Sequence, residues 1–511
     1  MQSQGVPRTF ARTTCALLVL TVHLATIIAG AAERKAAIAV SGHPQLFLDD
    51  YLLAEMHNVT RVLQQPTKHS DNPLPFEPEY AWERSRMSPG SVLYDGNRKM
   101  FRMWYPVLMD KSKYADNFGV VCYAESSDGV HWKKPMMRLH DFEGQMPTNI
   151  VSKGPSGKDS ECLFPSVIMT PHDPSRLYKM LFTHRRTPDN PSHYGLHVAC
   201  SKDGLHWTEP KLIFQGKCDN PPSLVWSPPL EHYFGFCRAQ DSHPDMVGHI
   251  RSTGILTSTD FDRWTPRKKV VLTDQRDGYP FVQFHHLMVT QYGDVMIGMA
   301  DVMHIMGNDN KTSTEDVQLI CSRDGWNWHR VADRAVFIPN GPGGYDREMV
   351  SPRSAFVLAD DVLHIFYLGS PSGQGRQKRT ADASNDRRER GGMCLATLPA
   401  ERFVGLVPSS PGKEGVVRTR PLITSGRHLL LNAELADTSD IEVELLDEKG
   451  SVLSHFGGAE SRLIVHDRLR YRVVWKNGGR EVSLGEAAVN RPVALRFVLR
   501  AGALFAFQSI E

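Results

Sequence analysis

A seven-residue turn recurs along this chain and limits its fold more than any other feature. Three full copies stand at Ser126-Ser127-Asp128-Gly129-Val130-His131-Trp132, Ser201-Lys202-Asp203-Gly204-Leu205-His206-Trp207 and Ser322-Arg323-Asp324-Gly325-Trp326-Asn327-Trp328. A degenerate copy, Ser258-Thr259-Asp260-Phe261-Asp262-Arg263-Trp264, keeps the Ser, Asp and Trp. Each follows a short apolar run, at 120–124, 196–200, 317–321 and 255–257, and so marks a hairpin. Ser and Asp side chains bond the turn's own amides, Gly supplies a positive φ, and Trp folds back to cover the hairpin. A turn repeated in every unit is structural and cannot be the unique reacting centre.

A second element precedes each turn: a pair of strands with a polar break between them. Ser91-Val92-Leu93-Tyr94 precedes 100–105, Ser166-Val167-Ile168-Met169 precedes 177–182, and Ser223-Leu224-Val225-Trp226 precedes 232–237. His286-Leu287-Met288-Val289 before 295–299 and Ser354-Ala355-Phe356-Val357 before 362–367 complete the series. The last unit lacks the Ser-x-Asp-Gly turn, but 393–396 supplies its third strand and Leu398-Pro399-Ala400-Glu401-Arg402-Phe403 stands in the turn's place. Equivalent positions Ala124, Ala199, Leu256, Ile320 and Ala396 are 75, 57, 64 and 76 residues apart, enough for one four-stranded antiparallel blade each. Such units bury their faces by closing into a ring.

The pattern predicts an all-β chain: a five-bladed β-propeller over 40–407 followed by a C-terminal β-sandwich over 408–511. The early run 45–53 is expected to complete the first or last blade. The stretch 371–392, with Arg376, Lys378, Arg379, Arg387, Arg388 and Arg390 against Asp382, Asp386 and Glu389, has no apolar period and reads as a solvated insertion. From about Pro408 short alternating strands without the blade motif take over, with turns such as Asp447-Glu448-Lys449-Gly450.

A length of 511 residues exceeds what one ordinary core holds. The formal net charge of +2, from 59 basic and 57 acidic residues, gives no electrostatic reason to expect nucleic acid or an anionic membrane as partner. At the N-terminus Arg8 and Arg12 precede an apolar run from 15 to 28, and Ala29-Gly30-Ala31 offers small residues for a signal peptidase. Residues 1–32 are therefore expected to be a cleaved signal, which makes the mature chain secreted or periplasmic. Cys122, Cys162, Cys200, Cys218, Cys237, Cys321 and Cys394 form no CxxC pair, which argues against a zinc site, and Cys122, Cys200, Cys321 and Cys394, inside apolar runs, read as buried small hydrophobes.

With these turns, and with Met103-Trp104-Tyr105 on an early blade strand, the chain resembles the five-bladed propeller glycosidases, the superfamily of the invertase, levansucrase and arabinanase families. The resemblance implies carboxylates from the first three blades that point into an axial funnel, each at the start of an innermost strand. One acid protonates the leaving oxygen and another carboxylate acts as nucleophile or activates water. The positions so marked are Glu83 in blade one, Asp159 and Glu161 in blade two and Asp219 in blade three as catalytic candidates. Trp82, Asp277, His286, Asp346, Glu348 and Arg353 are candidates for substrate binding. Asp49 and Asp50 would join them if the run 45–53 lined the funnel. The Asn-Asp-Pro-Asn-Gly signature of invertases is absent.

No cofactor is called for. His285 and His286 are adjacent, and strict strand alternation sends neighbouring side chains to opposite faces, which argues against one ion bound by both. The expected function is hydrolysis of O-glycosyl bonds in a poly- or oligosaccharide. The alternative is a catalytically silent propeller that binds a glycan or a protein, in which the acidic residues pair with cationic ones and do not share a cavity. A sialidase-like propeller fits less well, since its turns carry an extra residue between Asp and Gly.

Overall fold

The computed structural model describes residues 37–511 apart from 41, 85, 109–118, 155–160, 186–193, 219–220, 272, 311, 342–343, 374–385, 436–439, 459–460, 464–466 and 489–490. Strands dominate, and no helix among the described residues is long and apolar enough to cross a membrane. The expected signal segment and most of the basic insertion lie outside the described residues. Two compact units emerge, one of residues 62–405 and the other of the described residues up to 61 together with 406–511.

In the larger unit one antiparallel order recurs. Ser91–Asp95, Met100–Leu108, Gly119–Ser126 and Ile150–Ser152 form the first set, and Glu161–Met169, Tyr178–Arg185, Gly195–Ser201 and Lys211–Gln215 the second. Ser223–Ser227, His232–Asp241, Ile250–Ser258 and Lys268–Val271 follow. Next come Val282–Tyr292, Val295–Ile305, Ser313–Ser322 and Val336–Ile338. In the last set Met349–Pro352 and Val357–Ala359 pair with Val362–Ser370, which pairs with Gly392–Pro399.

Consecutive sets share apolar cores. Trp104 and Val121 meet Val167 and Met180, Leu181 and Leu196 meet Leu224 and Tyr233, and Phe234 and Phe236 meet Leu287 and Val289. Phe337 packs edge-on against Phe356. Val357, Phe366 and Leu395 of the last set then pack with Val92, Phe101 and Met103 of the first.

The serines that open the strand pairs follow the same cycle. Ser91 Oγ accepts from Val167 N–H, Ser166 Oγ from Leu224 N–H, Ser223 Oγ from Val289 N–H and Thr290 Oγ1 from Phe356 N–H, all at 2.9 Å. Ser354 Oγ accepts from Val92 N–H at 3.0 Å and returns the chain of bonds to the first set. Each bond satisfies an amide at the seam between two sets, where no strand ladder reaches it.

The turns behave as their residue types require. Ser126 Oγ accepts from Gly129 N–H at 2.9 Å, Asp128 Oδ1 accepts from Val130 and His131 N–H at 2.8 Å, and Trp132 Nε1 donates to Gly129 O at 3.1 Å. The copies at Ser201, Ser258 and Ser322 repeat the serine bond. Glycine serves a second purpose in two of them. At Gly204 (φ +80°) a Cβ would lie 2.8 Å from the Trp104 ring, and at Gly325 (φ +75°) 2.4 Å from Phe234, so each turn also leaves room for an aromatic of the preceding set. The four cysteines expected in the core, Cys122, Cys200, Cys321 and Cys394, are buried and unbridged, and so are Cys162, Cys218 and Cys237.

The ring-closing strand is a correction. Thr67–Lys68, not the run 45–53, pairs antiparallel with Ala396 and Thr397 of the last set. Gln45–Leu46 pairs with Ala503–Ile510, and Leu53–His57 with Gly415–Thr419, so the expected boundary at 40 gives way to one at 62. The reason is packing: Phe47 is fully buried against the rings of Phe497 and Phe507 in the smaller unit. There His428–Glu434 lies between Arg468–Arg472 and Ala503–Ile510. Ala494–Leu499 lies between Gly415–Thr419 and Ile441–Leu446. Leu431, Val443, Trp475 and Leu504 fill the core between these strands. Residues 452–456, expected as a strand, form a turn apart from one bridge at Val452.

Two outcomes follow from this account. Ser223→Ala strands the Val289 amide at a buried seam and should cost about 1–3 kcal/mol, seen as a lower denaturant midpoint, whereas an exposed serine replaced by alanine should cost under about 0.5 kcal/mol. Asp260 is held well below the usual carboxylate range by bonds from Arg263, and Asp128 and Asp203 likewise by bonds from their turns, against the opposing pull of burial. A carboxyl whose pKa is depressed on folding contributes stability above its unfolded value, about 3.9 for Asp, and loses it as pH falls through the folded value. The thermal midpoint should therefore drop below about pH 4, and D128N/D203N/D260N together should flatten that drop.

Candidate active site

The first candidates occupy very different settings. Glu83 is fully buried and fully bonded: Lys134 Nζ stands 2.9 Å away, Tyr105 O–H donates to its Oε1, and the N–H groups of Glu79 and Tyr80 donate to Oε2 at 2.8 and 3.2 Å. Trp82 is buried beside it, stacked on Tyr80 at 4.8 Å with Nε1 donating to Asn149 at 2.9 Å. Asp277 pairs with Arg330 at 2.8 Å and Arg334 at 2.5 Å. Asp346 takes Lys68 Nζ at 2.7 Å and Tyr367 O–H at 3.1 Å, so it anchors the closing strand.

Glu348 is half-buried and accepts from Gly373 N–H at 2.8 Å. Asp159 and Asp219 lie outside the described residues, and for Glu161 the description covers the backbone alone, paired with Arg185 and Gly119. Asp49 and Asp50 belong to the smaller unit, where Asp50 pairs with Arg61 at 2.5 Å.

His286 leads elsewhere. Along Val282–Tyr292 the pairing runs Phe284 with Val302 and then His286 with Asp301, which leaves His285 as the extra residue of a bulge. A bulge breaks alternation and re-aims a side chain, and here it brings both imidazoles to one place, with ring centroids 5.3 Å apart. The expectation that the two face apart is thereby corrected. One atom from each of His285, His286 and Asp301 lies within 4.8 Å of the others.

The contacts are close. His286 Nδ1 is 3.2 Å and His285 Nδ1 3.6 Å from Asp301 Oδ2, and His285 Nδ1 is 3.0 Å from Glu315 Oε2. Ser351 O–H donates to Asp301 Oδ2 at 2.5 Å, and His286 Nε2 donates to Pro352 O at 2.7 Å. Arg353, the next residue after Pro352, adds positive charge beside both histidines. Asp301 and Glu315 are 0% exposed and the histidines 4%. Among the described residues no donor reaches Asp301 Oδ1, Glu315 Oε1 or His286 Nδ1 in bonding geometry, and no lysine or arginine forms an ion pair with either carboxyl.

Burial sets the protonation states. Desolvation first, then the charge of Glu315, push the Asp301 carboxyl well above its usual range, with the Ser351 bond opposing. Burial also raises Glu315, against the charges of Arg251 and Arg353. Desolvation and neighbouring arginines hold both imidazoles well below their usual value. Burial close to one another disfavours ionising both carboxyls together, and two carboxyls with two imidazoles make a set suited to proton transfer or to holding a cation.

Asp301 and Glu315 escaped the sequence reading. The available signal was a lone carboxylate inside the apolar run Val295-Met296-Ile297-Gly298-Met299-Ala300-Asp301-Val302-Met303, since an isolated buried charge is too costly to persist without a role.

No family model matches the chain, and no curated protein matches it. Solved carbohydrate-active proteins are what it is similar to. A glycosyl hydrolase from Bacteroides ovatus is 15% identical over 71% of this chain and 96% of its own, with a TM-score of 0.42. An N-acetylgalactosamine deacetylase from F. plautii, solved with blood group B trisaccharide, is 13% identical over 68% and 97%, with a TM-score of 0.44. A protein of the GH130 family of mannoside phosphorylases, which contains glycoside hydrolases that target β-1,2 mannosidic linkages in Candida mannan, is 15% identical over 69% and 96%, with a TM-score of 0.42.

The setting of Glu83 generates its own test. Glu83→Ala leaves the buried Lys134 ammonium with only the longer contact to the exposed Glu79, at 3.5 Å, and should cost about 3–5 kcal/mol. The check is equilibrium unfolding, in which E83A/K134M should recover much of the loss.

Proposed function

We propose that this chain is an exported, glycan-active hydrolase: a five-bladed β-propeller whose blades are the five antiparallel sets, followed by a C-terminal β-sandwich, with residues 1–32 removed on secretion. The reacting centre is the buried cluster at the head of the fourth blade's first strand. One observation carries this reading. Glu83, Asp277 and Asp346 are each neutralised by a lysine or arginine, whereas among the described residues Asp301 and Glu315 form no ion pair with a lysine or arginine and keep acceptor atoms that no donor reaches.

In hydrolysis the protonated Asp301 gives its proton to the leaving glycosidic oxygen and Glu315 activates the attacking water. His285 steadies Glu315 through Nδ1, and Ser351 steadies Asp301. Asp159, Glu161 and Asp219 stay catalytic candidates by their place in the sequence alone, at or shortly before the first strands of blades two and three. The half-buried Tyr279 and the exposed Phe281 precede the strand that bears both histidines, where they would stack on sugar rings.

A second reading has its own support: cation-paired acidic residues at Glu83, Asp277 and Asp346 are what a silent glycan-binding propeller requires. The mature protein incubated with a panel of poly- and oligosaccharides separates the two, with release of reducing ends as the readout. D301N and E315Q are each expected to lower turnover by about 10²-fold or more with far-ultraviolet dichroism unchanged. Folded variants that cleave as fast as the parent would sink the assignment of these residues. A parent that binds glycans on an array yet cleaves none favours the silent propeller.

A further inference from the structure

We infer that His285, His286 and Asp301 form a binding site for one divalent transition cation of the zinc class, with Pro352 as the outer group that orients His286. The inference concerns the cluster described above and rests on reading it as a functional centre, not on the reaction assigned to it.

Orientation is the first argument. Pro352 O is a carbonyl and can only accept, so at 2.7 Å it must receive the proton of His286 Nε2. The other ring nitrogen, Nδ1, lies buried 3.2 Å from Asp301 Oδ2 without a hydrogen bond in proper geometry. A buried polar atom left in this way calls for a partner, and a cation between nitrogen and carboxylate supplies one. Metal-bound histidines regularly give their other N–H to a backbone carbonyl or carboxylate, and His286 has such a partner here in Pro352 O.

Spacing is the second. Ligand atoms about 2.0–2.2 Å from a tetrahedral zinc ion stand roughly 3.3 Å from one another by geometry. The 3.2 and 3.6 Å separations from Asp301 Oδ2 to the two Nδ1 atoms bracket that value. The bulge at His285 supplies the reason for the arrangement, because without it one imidazole would leave the site. Two imidazoles with one carboxylate suit zinc, cobalt, nickel or copper, while calcium takes six to eight oxygen ligands and not imidazole nitrogens.

The test uses the mature full-length protein, stripped with a chelator, dialysed and titrated with Zn²⁺ and, separately, with Co²⁺ and Ca²⁺. Expected are about one equivalent of Zn²⁺ by calorimetry and elemental analysis, a visible Co²⁺ spectrum of low-symmetry nitrogen and oxygen coordination, and no stoichiometric Ca²⁺ binding. Zn²⁺ should raise the melting temperature in a concentration-dependent way. H286Q and D301N, confirmed as folded by dichroism, should each weaken Zn²⁺ binding by at least about 10-fold. Should both variants misfold, the parent's Co²⁺ spectrum and stoichiometry decide alone. A parent that binds no stoichiometric Zn²⁺ or Co²⁺, or folded variants that bind as tightly as the parent, would overturn the inference. Binding without any glycan cleavage would overturn the hydrolase reading and leave this one supported; cleavage by a protein that binds no metal would do the reverse.

Discussion

The larger unit depends on how its sets are joined. Antiparallel ladders satisfy the amides within a set, but the seams between sets leave amides that no neighbouring strand can reach. A hydroxyl in the first strand of four sets, and Ser354 just after Met349–Pro352 in the fifth, solves this locally, and five such bonds form one cycle from Ser91 through Ser166, Ser223 and Thr290 to Ser354 and back to Val92. The apolar cores between sets then have a fixed offset to pack into. Closure is completed from the other end of the sequence by Thr67 and Lys68, whose ammonium is held by the buried Asp346. A short polar strand thus does what hydrophobic packing alone does not: it ties the beginning of the unit to its end.

Against that background the buried polar groups divide into two kinds. Glu83 with Lys134, and Asp346 with Lys68, are charges whose burial is compensated by a partner and several hydrogen bonds. Breaking either pair would leave an uncompensated charge, and so each specifies one arrangement of the chain around it. The cluster of His285, His286, Asp301 and Glu315 is buried as deeply but compensated less. Burial raises its carboxyls and lowers its imidazoles, and among the described residues several of its polar atoms go without a partner. Such a group costs stability in the surrounding fold, and costs of this kind concentrate at functional sites.

The sequence made the repeating architecture legible because its signals are local. A Ser-x-Asp-Gly turn can be read from its residues, since each bonds within the turn itself, and the serine before each strand pair is visible although its partner is roughly 60–80 positions away. The closing strand was not legible, because Thr67–Lys68 is two polar residues long and looks like loop, while the stronger apolar run ending in Phe47 is used by the smaller unit. The site was half legible. His286 stood out by type, but the inference that it and His285 diverge relied on unbroken alternation, and a one-residue bulge is set by pairing with a distant strand, not by the two histidines. Asp301 and Glu315 precede no inner strand, so a search at strand starts passes over them. Glu83 sits where such a search looks and turns out to be a fully bonded core residue.

Closure and site share the same two segments, and this couples them. Val282–Tyr292 carries His285 and His286 near its head and Val289 and Thr290 further on, where both take part in the hydroxyl cycle. The segment 349–356 carries Ser351 and Pro352, which bond Asp301 and His286, and then Ser354 and Phe356, which belong to the same cycle. The offset between the fourth and fifth sets is therefore fixed three to five residues from the cluster, and that offset sets the 2.7 Å contact between His286 and Pro352. Side chains aimed within an ångström of one another need supports that do not slide. The cluster stands beside a seam where both strands are pinned, and it is this pinning that lets a pair of carboxyls and a pair of imidazoles remain buried and poised together.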